Sequence, residues 1–168
     1  SDICPIIMAG HSLGEFSALV CASALDFVDA VKLVRKRGEY MQSAVPVGQG
    51  AMAAIIGLEH DELIRICTDV AQRLGGGVSA VNLNSPGQVV IAGHAATVEA
   101  AVVALKAAGA KRAIPLPVSA PFHTQLMKPA GDHLAEAIAA ISISAPQVPV
   151  VHNVHAATES DPEKIRKL

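Results

Sequence analysis

The sequence predicts an α/β protein in which a ferredoxin-like βαββαβ subdomain is set into a parallel core. Three observations predict it. An apolar run, Ile3 to Ala9, ends in Gly10-His11-Ser12-Leu13-Gly14 and gives way to a helical pattern. Strand and helix periods then follow in the order β-α-β-β-α-β from Ala51 to Val118. The apolar 51% of the composition is mostly Ala, Val, Ile and Leu, with three Phe, one Tyr and no Trp. That mixture suits buried α/β packing better than aromatic recognition of bases or sugars.

Each element has a local reason. The run Ile3 to Ala9 is short and nearly continuous, as expected of a strand buried on both faces. A helix is expected from Glu15 to Ala22, and a second from an N-cap at Asp26 to about Ala44. Val45-Pro46-Val47-Gly48 then breaks the pattern. Ala51 to Gly57 reads as a strand and Glu59 to Leu74 as a helix closed by Gly75, Gly76 and Gly77. Val78 to Leu83 and Gln88 to Ala92 read as strands joined by the turn Asn84-Ser85-Pro86-Gly87. Ala95 to Ala108 is an Ala-rich helix ended by Gly109, and Arg112 to Val118 a further strand. Beyond the loop Ser119 to His123, apolar positions from Leu126 to Ile141 keep helical spacing, and Val148 to Val154 is another buried-type strand. The expected boundaries are residues 1–48 and 119–168 for the core and 49–118 for the subdomain.

With 17% charged residues the chain folds, and its formal charge of −2 argues against a nucleic-acid surface. No apolar stretch approaches the roughly 20 residues of a membrane span, and no signal-peptide pattern opens the chain. Cys4, Cys21 and Cys67 form no C-x-x-C pair, so a reduced, cytoplasmic compartment with three small core cysteines is expected. Outside the subdomain only two strands are expected, too few to bury a parallel sheet. Partner strands upstream of Ser1 are therefore expected, and with them a longer protein.

Gly10-x-Ser12-x-Gly14 between strand and helix has the form of a nucleophile elbow. Its glycines permit a turn that pushes the Ser12 hydroxyl outward, and the helix start aims free N–H groups, Leu13 first, at a developing oxyanion. The bland alternative is a Gly-rich turn with Ser12 as N-cap. A nucleophilic Ser needs a base. Of seven histidines, His123 stands in a Pro-containing loop ahead of a helix N-terminus, which favours neutral imidazole; His155 is the alternative base, and a capping or surface role the alternative for His123. His152 and His155, three apart on a strand, are expected to face opposite sides and make a poor metal pair; no metal site is expected. Arg37 falls within the apolar arc Phe27, Ala30, Val31, Val34, Gly38 and Met41. A cation there needs a partner, either a carboxylate of the protein or that of a substrate.

The segment Met8-Ala9-Gly10-His11-Ser12-Leu13-Gly14-Glu15-Phe16-Ser17-Ala18-Leu19-Val20 resembles the active-site segment of the bacterial malonyl-CoA:acyl-carrier-protein transacylases. Arg37-Gly38 with Met41 and Gln42, Gly50 to Ala54, Asn84 to Gln88, and Pro117 to His123 are similar in the same order. The resemblance implies an α/β-hydrolase-like core with the ferredoxin-like insertion. It implies Ser12 as acylated nucleophile, His123 as base and Arg37 as clamp for the malonyl carboxylate. Leu13, Met41, Met52, Asn84 and Val118 would fall near the substrate. Malonyl-CoA and acyl carrier protein are the implied partners, and the coenzyme A thioester is substrate, with no further cofactor. The family's upstream Gln of the oxyanion hole and downstream His-orienting residue have no match, so little transfer by these 168 residues alone is expected. A monomer is expected at full length.

Two other readings use the same residues. A serine hydrolase or thioesterase would share the elbow with water as acceptor. A non-catalytic fragment would bind an acidic carrier protein, with Lys106, Lys111 and Arg112 as a basic patch.

Overall fold

The computed structural model describes residues 4–118 and 120–168. Ile3, at the start of the expected first strand, and Ser119, at the start of the expected loop, lie outside the described residues, as does Ser1. In chain order the elements are β1 (Met8–Ala9), α1 (Gly14–Cys21), α2 (Phe27–Ser43), β2 (Gly50–Ile56), α3 (His60–Leu74) and β3 (Val78–Ser85). There follow β4 (Gln88–His94), α4 (Ala95–Ala107), β5 (Arg112–Pro115), α5 (Lys128–Ala139), β6 (Val150–His152), β7 (Ala157–Thr158) and α6 (Pro162–Ile165). The chain is α/β and divides into two compact units, Ser1–Tyr40 with Gly131–Leu168, and Met41–Ala130.

In Met41–Ala130 the strands pair antiparallel in the order β3-β4-β2-β5. Alternation along β2 sends Ala53 and Ile55 to one face, where they pack with Leu63, Val70, Val98 and Leu105 of α3 and α4. Met52 points the other way, into a smaller cluster with Val90 and Ala92, flanked by Leu116 and Phe122. α3 ends at Gly75, whose left-handed φ of 68° lets its N–H close on the Ala71 carbonyl. The β3–β4 hairpin turns on Pro86 and Gly87 alone, because Ser85 already pairs with Gln88. Gly87 takes the positive φ, 73°, that the position after a turn proline requires. Asn84, expected in the turn, therefore belongs to the strand. β5 ends at Pro115, short of the expected Val118, for it pairs only with Ala53 to Ile56 of β2.

The unit Ser1–Tyr40 with Gly131–Leu168 is built on shorter strands. β1 and β6 are parallel, Met8 opposite Val150 and Ala9 opposite Val151, and β7 adds antiparallel to β6. The expected two core strands are thus three. They are also shorter than expected: β1 spans Met8–Ala9 and β6 Val150–His152. Pro149 supplies its carbonyl to Met8, and the backbone turns after His152, where the Ala156 N–H reaches back to the His152 carbonyl at 2.9 Å. Among the described residues β1 pairs with β6 on one side only, and Ile6 is 88% and Ile7 53% exposed. Asp26 caps α2 as expected, its Oδ1 accepting from Val28 and Asp29 N–H. The apolar arc of α2 is only partly buried: Ala30 joins the core, as does neighbouring Leu33, whereas Phe27 and Val31 are exposed along an apolar groove of about 460 Å³. Cys4 and Cys21 are exposed rather than core residues; Cys67 is buried in the other unit, and burial raises its thiol pKa to about 11. Among the described residues no helix is long and apolar enough to cross a membrane.

Candidate active site

Ser12 sits where β1 hands over to α1, with φ of 55°. For a residue with a Cβ this left-handed conformation costs about 1–2 kcal/mol, so neighbouring contacts must hold it. One reason for the tight turn is Gly10: a Cβ there would run into the backbone carbonyl of Gly14. The turn closes through Gly14 N–H to the His11 carbonyl (2.9 Å) and Glu15 N–H to the Ser12 carbonyl (3.2 Å). The Ser12 N–H donates to Asn153 Oδ1 at 2.6 Å. Among the described residues the next donor, Leu13 N–H, serves no backbone carbonyl and stands at the start of α1. Its own side chain is 46% exposed. This is the strand–turn–helix form that the pattern from Gly10 to Gly14 leads one to expect.

Arg37, half-buried on α2, donates from Nη2 to Ser12 Oγ at 2.7 Å. No carboxylate among the described residues pairs with it. Of the two partners open to it in the sequence, a carboxylate of the protein is thus not found among the described residues, and the Ser12 hydroxyl is the group its guanidinium meets. Burial lowers the guanidinium's pKa, by the cost of holding charge away from water.

Below the elbow lies a polar circuit that spacing does not single out. The Glu15 carboxylate meets His152 Nδ1 at 2.7 Å through Oε1, and accepts the Asn153 N–H at 3.0 Å through Oε2. His152 is fully buried, and its Nε2 has no partner among the described residues. His155 lies near it, ring centroids 6.0 Å apart and nearly perpendicular, rather than facing away. The chain turns after His152, so strand alternation no longer governs the pair. No cluster of three or more metal-ligating side chains occurs among the described residues. His155 Nδ1 accepts the Ala157 N–H at 3.3 Å.

The other expected residues belong to Met41–Ala130. His123 is exposed, in a loop with its own left-handed φ of 60°. Buried Ala120 and Pro121 anchor that loop, and Thr124 Oγ1 donates to the Pro121 carbonyl at 2.7 Å. Met52 is 5% exposed in the cluster that takes in Phe122, which brings it next to the His123 loop. Val118 is 38% exposed, Met41 is half-buried on α2, and Asn84 is exposed. The register sets Met52 opposite Ala92, whereas Asn84 lies beyond Leu83, which pairs with Val89 near the other end of the sheet. Ser12, Leu13 and Arg37 are thus gathered in one unit, and Met52 and His123 in the other.

The chain is α/β with a strand–turn–helix around Ser12, and the match to known families narrows its class. Residues 3–167 match the acyl transferase domain, and the chain belongs to that family. It is 60% identical over 162 residues to the malonyl CoA-acyl carrier protein transacylase of Escherichia coli K12, covering 96% of this chain and 52% of that protein. The structure of the malonyl CoA-acyl carrier protein transacylase from Coxiella burnetii is similar with a TM-score of 0.94 and 55% identity, over 98% of this chain and 52% of that one. A malonyl-transacylase in complex with a type II PKS acyl-carrier protein is similar with a TM-score of 0.94 and 56% identity, over 98% and 53%. The chain spans about half the length of the curated relatives it matches.

Proposed function

We propose that this chain carries the nucleophile and the acyl-group clamp of a malonyl-CoA:acyl-carrier-protein transacylase. The observation that carries the reading is the Arg37 guanidinium, half-buried, without a carboxylate partner among the described residues and 2.7 Å from Ser12 Oγ. A malonyl thioester offers a carboxylate for that cation and, one carbon further, a carbonyl for that hydroxyl. In the proposed reaction His123 takes the Ser12 proton as Oγ attacks the thioester carbonyl. The Leu13 N–H stabilises the resulting oxyanion. Collapse expels the coenzyme A thiolate, which recovers the proton from His123. The phosphopantetheine thiol of acyl carrier protein then attacks the malonyl-serine ester by the same steps reversed. An acetyl group would leave Arg37 unpaired, which penalises it.

The βαββαβ order and the strand order β3-β4-β2-β5 support a ferredoxin-like subdomain over residues 49–118, inserted into an α/β-hydrolase-like core of residues 1–48 and 119–168. Met41, Met52, Asn84 and Val118 are read as pocket residues on the family resemblance. The reading includes no cofactor beyond the thioester substrate, a monomer at full length and a cytoplasmic setting. The test is intact mass after incubation with malonyl-CoA. A malonyl adduct is expected on the wild type, none on Ser12→Ala, and at least tenfold less on Arg37→Ala. Equal labelling by acetyl-CoA would remove the clamp, and an adduct surviving Ser12→Ala would remove the nucleophile.

A further inference from the structure

We propose that Asn153, held by Glu15 and His152, is a positioning residue that fixes the conformation of Ser12; this rests on the reading of Ser12 as nucleophile. Asn153 follows the last residue of β6, and the parallel register that sets Ala9 opposite Val151 carries it to the level of the elbow. From there it makes contact twice. Its side-chain Oδ1 accepts the Ser12 N–H at 2.6 Å, and its backbone N–H donates to Glu15 Oε2 at 3.0 Å. Ser12 and Glu15 are the two ends of the turn that enters α1, so one residue, 141 positions away in sequence, grips both ends. The circuit is closed.

The grip is itself anchored. The second Glu15 oxygen meets Nδ1 of His152, a side chain with no exposed surface. Facing a carboxylate, Nδ1 carries the proton and donates, which fixes the imidazole ring. Glu15 also stands in the first turn of α1, where the helix N-terminus favours its negative charge.

The consequence for chemistry lies in the backbone donors. Occupying the Ser12 N–H with Asn153 holds the peptide plane between Ser12 and its predecessor. With φ at 55° on one side and the Ser12 carbonyl held by the Glu15 N–H at 3.2 Å on the other, the Ser12–Leu13 peptide, and with it the Leu13 N–H, is restrained from both ends of the turn. A strained residue stays in place only when its surroundings over-determine it. Without Oδ1 that restraint is absent, and the elbow samples conformations in which Oγ and the Leu13 N–H are not presented together.

Two variants separate positioning from simple support. Asn153→Ala removes the acceptor while keeping the backbone bond to Glu15; Asn153→Asp keeps an acceptor at the same place. Each is treated with a neutral serine-directed fluorophosphonate and with malonyl-CoA, and the Ser12 amide is followed by ¹⁵N NMR and hydrogen exchange. For Asn153→Ala, a tenfold or greater drop in the limiting rate of Ser12 modification is expected, at an unchanged half-saturating concentration. The Ser12 amide proton should move upfield and exchange faster; Asn153→Asp should restore the modification and exchange rates to within about threefold and return the amide proton downfield. Wild-type rates in Asn153→Ala, or equal loss in Ala and Asp variants, would overturn the proposal. Malonyl-CoA failing on a wild type that the phosphonate labels in an Asn153-dependent way overturns the acyl-transfer reading and leaves positioning standing. If neither reagent modifies the wild type, an unchanged Ser12 amide in Asn153→Ala overturns positioning, and the expected shift and exchange upholds it.

Discussion

In Met41–Ala130 a four-stranded sheet buries Ile55, Ile91, Leu63 and Leu105 almost completely under two helices of its own. In the other unit the strands are two or three residues long, and Ile6, Phe27, Val28 and Val31 remain exposed. The first unit spends its residues on apolar packing; the second carries the left-handed Ser12, the half-buried Arg37 and the circuit Glu15–His152–Asn153. Apolar burial is non-directional and tolerates alternatives, but a strained serine with defined donors needs directional bonds. Around Ser12 the contacts that hold the turn are polar and come from Asn153, just past β6, whereas those that hold the four-stranded sheet to its helices are apolar.

Three measurements test this contrast between the units. The largest effect is expected in the core between the sheet and its helices: Leu105→Ala on α4 should lose about 3 kcal/mol in denaturant unfolding, through lost transfer energy and a cavity. Phe27→Ser, in the other unit and 68% exposed, should change stability by less than about 0.5 kcal/mol. Comparable losses for both would erase the distinction between the units.

The next effect is read by thiol chemistry. With its pKa raised to about 11 by burial, Cys67 should hold on the order of one thiolate in a thousand at pH 8, and alkylate far more slowly than exposed Cys21. The sign follows from the neutral form being favoured in the fold. The stabilisation is intact below the unfolded thiol's pKa, roughly 8.5, and is lost as pH rises toward about 11. Rapid labelling of Cys67 under native conditions would show that the sheet opens readily.

The smallest effect concerns the elbow. Ser12→Gly and Ser12→Ala both remove the hydroxyl, yet only glycine adopts φ of 55° without strain. The Gly variant should therefore be more stable by about 1 kcal/mol in thermal or denaturant unfolding. Equal stabilities would mean that the elbow relaxes once the hydroxyl is gone.

Features set by near neighbours along the chain are legible in the sequence. Asp26 caps α2 because its own side chain reaches Val28 and Asp29 N–H; Gly75 closes α3 because it tolerates the left-handed region; Pro86-Gly87 turns the hairpin. Ser12 is visible for the same reason, with Gly10 and Gly14 beside it. Glu15 stands within the family-like segment but has no task that its neighbours reveal, and His152 draws attention in the sequence only as a possible metal ligand. Nothing local marks Asn153.

The α/β order of elements, Ser12 in its glycine-flanked turn and the unusual place of a cation on α2 follow from periodicity and from contacts a few residues long. Long-range packing sets the company these groups keep. The parallel pairing of β1 with β6 brings Asn153 to Ser12 across 141 residues and buries His152 against Glu15. The reason is physical: local chemistry chooses the backbone conformation, but burial and hydrogen-bond partners depend on which distant segments the chain packs together.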